Sequence, residues 1–300
     1  MGVFIYIISF IFGTIIGSFI NVLVDRTDTK ESPFRGRSFC PYCHKILAWW
    51  EMVPVLNYFY LKGRCSSCHH KLSLQYPIVE FCTGLFFALA CWRFFRFPLI
   101  NLHLFTVFNL ENILILINLF FWFYWLFVFL VISLYDLKKY LILSEVLIPA
   151  IVISFFWRIF LGVIIFLKHF TFLPQLNLLL GSQSYVFGNY PYSLSLILGI
   201  IFAGGLISLL VYTTKEKAMG WGDAILAFFI GLILGWPGAM IALIIAFLSG
   251  GFSSLILMLL KKKTLKSYLP FAPFLSLGAV TVMLFGDIII KGYLSLLLIG

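Results

Sequence analysis

The sequence predicts an all-α, polytopic membrane protein of about eight transmembrane helices, with one cysteine-rich polar loop between the first two. Three observations predict it. Apolar residues make up 62% of the 300 and charged residues only 11%, against roughly a quarter charged in a water-soluble domain. Apolar runs near the roughly 20 residues that cross a bilayer recur along the chain. The basic residues are gathered into a few connecting segments. The surplus of 21 Lys and Arg over 11 Asp and Glu, a formal +10, would suggest nucleic acid in a soluble protein; here it reads as membrane orientation, and no nucleic-acid partner is expected.

Taken in order, the first apolar stretch, Val3 to Val24, has no basic residue before it and no small-x-small cleavage site after it. It is expected to stay as a helix rather than to leave as a signal peptide. Residues 25–77 form the only long polar segment. Seven further apolar runs follow, at about 78–95, 113–134, 141–167, 193–213, 220–235, 237–260 and 274–298. The fourth helix is longer than a bilayer requires and is expected to tilt or to end near Arg158. The sixth is short and contains glycine. Lys168 to Tyr192, with Pro174, Gly181, Gly188, Asn189 and Pro191, reads as an external loop.

Charge sets the orientation. If 25–77 is cytoplasmic, each returning pair of helices makes 135–140, 214–219 and 261–273 cytoplasmic as well. Most of the basic residues lie there: Arg26, Lys30, Arg35, Arg37, Lys45, Lys62, Arg64 and Lys71 in the long loop, then Lys138 and Lys139, Lys215 and Lys217, and Lys261, Lys262, Lys263 and Lys266. The positive-inside rule therefore predicts an even number of helices with both termini outside. The same topology places Asp136, at the end of helix three, and Asp223, at the start of helix six, on one side of the membrane.

Two carboxyls at one rim make a pair for hydrolysing an amide, in which an ionised Asp draws a proton from water and a protonated one polarises the carbonyl. Like charges at short range do not both ionise cheaply, so such a pair titrates as a unit. Asp223 closes the string Gly220-Trp221-Gly222-Asp223, whose glycines are expected to allow backbone geometry that a side chain forbids and to admit a substrate strand. The plainer reading has Asp136 pairing with Lys138 or Lys139 and Asp223 capping a helix.

The polar loop carries Cys40-x2-Cys43 and Cys65-x2-Cys68, the spacing of two knuckles closing on one zinc ion with four thiolates. Four thiolates leave no open position for water, so the zinc is expected to be structural, adding folding energy to a loop with little core. Independent redox-active or unmetallated thiols are the alternative. His44, His69 and His70 flank the knuckles and read as solvated. The loop's basic residues could serve anionic lipid or an acidic part of a substrate, and a solvated positive-inside loop accounts for them more simply.

These residues carry a resemblance over nearly all of the chain. Gly17-Ser18-Phe19-Ile20-Asn21-Val22 running into Arg26, Cys40-Pro41-Tyr42-Cys43, Gly63-Arg64-Cys65-Ser66-Ser67-Cys68, Tyr76-Pro77-Ile78-Val79-Glu80 and Asp136 come first. Met219-Gly220-Trp221-Gly222-Asp223, Pro270-Phe271-Ala272-Pro273-Phe274-Leu275 and Gly286-Asp287 follow. In this order they resemble the bacterial type IV prepilin peptidases, also called leader peptidases, which are membrane aspartic peptidases. The resemblance implies that Asp136 and Asp223 are catalytic and that a short basic leader is cut from prepilins or pseudopilins at the cytoplasmic face of the bacterial inner membrane. It also implies methylation of the new amino terminus from S-adenosylmethionine, with ligands for the donor unassigned. The division expected is a first transmembrane helix over 1–24, a cytoplasmic zinc-knuckle loop over 25–77 and a transmembrane aspartic peptidase domain over 78–300, with prepilin and membrane lipid as partners.

Two departures are visible. Leu143-Ser144-Glu145 stands where the family commonly has Leu-Pro-Asp, and the stretch around 158–192 is expanded. Asp287 and Lys291, spaced i,i+4, read as an ion pair roughly 20 Å from the cytoplasmic edge. Glu80 reads as helix-start stabilisation or substrate orientation. Cys82 and Cys91 read as apolar helix residues, and His103 and Glu111 as external loop. A proton-coupled transporter, which would cluster carboxyls near the midplane, and a zinc-binding membrane adaptor, indifferent to both aspartates, are the rival readings.

Overall fold

The expected all-α architecture is borne out in a computed structural model, which describes residues 2–27, 36–96, 110–168, 192–217, 219–261 and 269–298. Among the described residues every regular element is helical: α1 (Gly2–Arg26), a 3-10 turn (Trp49–Met52), α2 (Leu56–Tyr60), α3 (Gln75–Arg96), α4 (Leu110–Lys139), α5 (Ser144–Lys168), α6 (Tyr192–Thr214), α7 (Trp221–Leu234), α8 (Gly238–Leu259) and α9 (Ala272–Leu298). All eight apolar runs form helices. Seven are long and apolar enough to cross a membrane, and α7, with 14 residues, is not. At about 1.5 Å per residue it reaches about 21 Å, short of the roughly 30 Å hydrocarbon core.

The chain divides into two compact units. The first holds Met1–Asn109 with Leu119–Val131, the second Leu110–Asn118 with Ile132–Gly300, so α4 gives its middle to one and its ends to the other. In the first unit α1 packs closely on α3. A Cβ added at Gly13 would meet Gly84 Cα at 2.8 Å, and one at Gly17 would meet Glu80 Cα at 2.7 Å. The i,i+4 pair of small residues is what lets two membrane helices touch backbone to backbone. Phe87 stacks on Phe123 at 4.5 Å, and Phe94 meets Trp122 edge-on at 4.8 Å.

The second unit is built around α7. After Asp223 that helix carries no polar residue, and a helix apolar on all sides belongs inside. It packs against α5, α6, α8 and α9, with Ala224, Leu226, Ala227 and Phe229 through Leu234 all buried.

Ending a helix within the membrane leaves carbonyls without partners, and α5 supplies them. Arg158, 3% exposed, donates its Nε–H to Leu232 O at 3.0 Å and an Nη2–H to Ile233 O, while its guanidinium lies 5.7 Å from the Tyr192 ring. Of the two expectations for the fourth apolar run, to tilt or to end near Arg158, the second is corrected: α5 continues to Lys168, because the charge is spent on the end of a neighbouring helix. Residues 169–191 of the proposed external loop and expansion lie outside the described residues, as do His103 and the side chains of Glu111 and Lys291.

Candidate active site and four-cysteine cluster

Asp136 occupies the last turn of α4, three residues from its end, and is 5% exposed. The helix closes when the Tyr140 N–H, at φ +57°, bonds Asp136 O at 2.8 Å. A carboxylate at this end faces the negative pole of its own helix. Compensation comes from α9: the Ala272 N–H donates to Asp136 Oδ2 at 3.1 Å. Ala272 is the first residue of α9, where N–H groups have no intrahelical partner. Pro273 beside it has no N–H, and the N–H groups of Phe274 and Leu275 bond Phe271 O. The donor at 272 is thus the one this helix start directs at Asp136.

Asp223 stands at the opposite kind of position, the third residue of α7, where the helix end favours negative charge. Its Oδ2 accepts the Gly220 N–H at 3.2 Å, and its own N–H donates to Gly220 O at 3.1 Å. The capping contact of the plainer reading is therefore present, and it uses one oxygen. Among the described residues the second oxygen of each aspartate takes no hydrogen bond.

Both aspartates lie in the second unit. Gly222 shows how the segments that carry them meet. A Cβ there would come within 3.0 Å of Ile142 Cβ, so the start of α7 packs directly against the turn that follows Asp136. The backbone role expected for the two glycines is corrected accordingly. Gly220, at φ −90° and ψ 163°, has an ordinary extended backbone, where an added Cβ would come no nearer than 4.0 Å, at Gly222 N, to any described atom beyond its chain neighbours, and Gly222 is helical. What position 222 needs is absence of bulk.

Other weighed residues fall elsewhere. Asp287, 8% exposed, is about 22 Å along α9 from Ala272 at about 1.5 Å per residue. Its proposed pairing with Lys291 lies outside the described side chains. Glu80 does more than stabilise a helix start: its Oε2 accepts the Val55 N–H at 2.6 Å and it bonds the Ser18 hydroxyl, tying the polar loop to both α1 and α3. Cys91 meets Ser9 Oγ at 2.8 Å within the apolar packing.

In the polar loop, Cys40, Cys43, Cys65 and Cys68 converge, with all four Sγ atoms within 4.8 Å of one another. Cys40 Sγ to Cys68 Sγ and Cys43 Sγ to Cys65 Sγ are each 3.9 Å. The edge of a tetrahedron with metal–sulfur bonds of about 2.3 Å is about 3.8 Å, so the cluster fits a metal such as zinc. The two knuckles repeat one backbone pattern. Cys40 N–H bonds Lys45 O and His44 N–H bonds Cys40 O; Cys65 N–H bonds His70 O and His69 N–H bonds Cys65 O. His44 and His69 share φ values of 54° and 55°. The N–H groups of Cys68 and Ser67 pull the Cys65 thiol down to about 7, while burial and the neighbouring thiols push Cys68 up to about 11. His44 stacks on Phe39 and His70 on Tyr42, and neither belongs to the cluster.

Two family models match. Residues 11–94 match the Bacterial Peptidase A24 N-terminal domain, and residues 122–255, which include Asp136, the Gly220-Trp221-Gly222-Asp223 string and all of α7, match the Type IV leader peptidase family. The two matches together support a type IV prepilin peptidase. Full-length relatives agree. The prepilin leader peptidase/N-methyltransferase of Bacillus subtilis is 29% identical over 97% of this chain and 98% of its own length. The protein of the same name from Legionella pneumophila is 25% identical over 97% of this chain and 95% of its own length, and that from Pectobacterium carotovorum is 27% identical over 91% of each. No solved structure gives a significant match.

What the sequence missed at the site is the set of partners that hold the carboxyls. Ala272 is an unremarkable residue 136 positions from Asp136; only the Pro-Phe-Ala-Pro string, which reads as a helix start, marks the place.

Proposed function

We propose that this chain is a membrane aspartic endopeptidase that removes the leader of prepilins or pseudopilins with Asp136 and Asp223. The observation that carries the reading is the arrangement of the two carboxyls. Each is steadied through one oxygen by a helix-start N–H, 3.1 Å at Asp136 and 3.2 Å at Asp223, and each keeps a second oxygen for water.

In the reaction, the ionised aspartate takes a proton from a water molecule as its oxygen attacks the scissile carbonyl carbon. The protonated aspartate hydrogen-bonds to the carbonyl oxygen and stabilises the negative charge that grows there. Breakdown of the tetrahedral species breaks the C–N bond, and a proton passes from the acidic carboxyl to the leaving amine. Gly220, exposed and without a side chain, suits an extended substrate strand reaching Asp223.

Both aspartates adjoin segments rich in lysine: Lys138 and Lys139 follow Asp136, and Lys215 and Lys217 precede Asp223. By the positive-inside rule that rim is cytoplasmic, in a bacterial inner membrane with both termini outside. A proton-coupled transporter would hold its carboxyls near the midplane instead. The chain's second activity is N-methylation of the amino terminus released by cleavage, with S-adenosylmethionine as donor and no ligand set assigned to it. Cys40, Cys43, Cys65 and Cys68 hold one zinc whose role is to fold the loop. No nucleic acid takes part.

The test is the purified protein in detergent with a prepilin, read by mass spectrometry. The expected product lacks the leader and gains one methyl group when the donor is supplied. An intact prepilin after prolonged incubation overturns the peptidase reading, and an unmethylated product overturns the second activity alone.

A further inference from the structure

Apolar surface on the membrane helices is covered by lipid tails, but the polar loop carries apolar surface of its own. Trp49, Trp50, Leu56, Phe59 and Tyr60 are 74%, 57%, 68%, 69% and 82% exposed. They cluster within twelve residues of sequence, on the 3-10 turn and on α2. The segment is built rather than loose. Asn57 Nδ2 donates to Glu51 O, the Tyr58 hydroxyl to Leu72 O at 3.2 Å, and Glu51 is buried against Lys45, Ser66 and the Ala48 N–H. Between the two short elements, Val55 has φ +64° and ψ −54°, a conformation costly for a β-branched residue.

What holds that backbone in place also sets its depth. The Val55 N–H is bonded by Glu80 Oε2 at 2.6 Å, and Glu80 lies five residues into α3, about 7.5 Å along the helix from its start at Gln75. The turn is thus fastened beside the second turn of a membrane span, at the level where a bilayer passes from headgroups to acyl chains. Trp and Tyr are the side chains enriched at this boundary. The charges agree: Lys45, Lys62, Arg64 and Lys71 are exposed, and the one carboxylate between residues 36 and 74, Glu51, is buried. Apart from the cysteine cluster, the exposed charged side chains of residues 36–74 are thus all cations, which suits anionic headgroups.

We propose that Trp49–Tyr60 is an interfacial anchor that inserts its aromatic side chains into the cytoplasmic leaflet and holds the four-cysteine module flat against anionic lipid. The anchor fixes where the module sits relative to the bilayer. It depends on the membrane placement of α1 and α3 and is independent of the peptidase chemistry.

The test uses the full-length protein in lipid nanodiscs. Subtracting the fluorescence of a Trp49→Phe/Trp50→Phe variant from that of the unaltered protein isolates these two indoles. With bromine on the upper acyl chain of the lipid, that difference signal is expected to be quenched about twofold or more, as for side chains of the interfacial belt. A photoreactive p-benzoylphenylalanine in place of Tyr60 is expected to form adducts with lipid, in lower yield when the anionic lipid is replaced by a zwitterionic one. An unquenched difference signal, or adducts formed only with prepilin or with the protein itself, overturns the anchor. A yield indifferent to headgroup charge overturns its preference for anionic lipid. Unchanged zinc content of the double variant checks that the module is folded.

Discussion

The Ala272 N–H points at Asp136 Oδ2 from 3.1 Å, so the first residue of α9 supports a carboxyl that its own helix disfavours. Asp136 lies at the carbonyl-rich end of α4, and a group buried there needs a donor from elsewhere. Proline at 272 removes that donor while fitting the first position of a helix. Ala272→Pro is expected to lower kcat for leader cleavage roughly tenfold, the equivalent of losing one hydrogen bond of about 1–3 kcal/mol to a charged group. Initial-rate measurements with saturating prepilin check it.

Contact between Gly222 and Ile142 makes a second site-specific case. A Cβ at 222 would stand 3.0 Å from Ile142 Cβ, so Gly222→Ala has to push the start of α7 off the turn after Asp136. A misplacement of this kind near reacting groups costs up to about 10²-fold in rate. The expected result is a loss of cleavage by Gly222→Ala that Ile142→Ala, combined with it, largely restores. A double-mutant cycle in kcat/KM reads the coupling, and strictly additive effects would count against the contact.

The cysteine cluster predicts one zinc per chain by elemental analysis, and near none in Cys40→Ser/Cys65→Ser. Because metal binding and folding of such a loop are coupled, stripping the metal should expose 36–74 to proteolysis while leaving the membrane helices protected.

Acid should weaken the same module through Glu51. The Ser66 hydroxyl first, then the Ala48 N–H, and also Lys45, hold the Glu51 carboxyl below its ordinary value of 4.5. A carboxyl depressed on folding stabilises the folded form above its unfolded value, and that contribution disappears as pH falls through the lowered folded value. The module's hydrogen-exchange protection should therefore decline below about pH 4.5 in a way that Glu51→Gln abolishes. Thiolate protonation also loosens the metal, and the difference between the two proteins isolates the glutamate.

How far these features could be read ahead depends on how local their causes are. Eight apolar runs became eight helices, and the knuckle spacing became a cluster of four sulfurs, because length, hydropathy and Cys-x-x-Cys geometry act over short stretches. That Arg158 lies inside a helix is not legible locally, since its acceptors, Leu232 and Ile233, lie more than seventy residues away. For the same reason the donor at Ala272 was invisible beside Asp136. Gly220 and Gly222 looked alike in sequence and differ in the fold, where an added Cβ at one stays 4.0 Å from the nearest described atom beyond its chain neighbours and at the other meets Ile142 at 3.0 Å. Local chemistry named the carboxyls; packing between distant helices decides what holds them.

The most direct test of the central claim is single-turnover cleavage of a prepilin by Asp136→Asn and Asp223→Asn, each shown to be inserted and to unfold like the unaltered protein. Asparagine keeps the shape and cannot exchange the proton, so each variant is expected to lose about 10²- to 10⁴-fold or more in rate. Leader removal at near-normal rates by both would contradict the account.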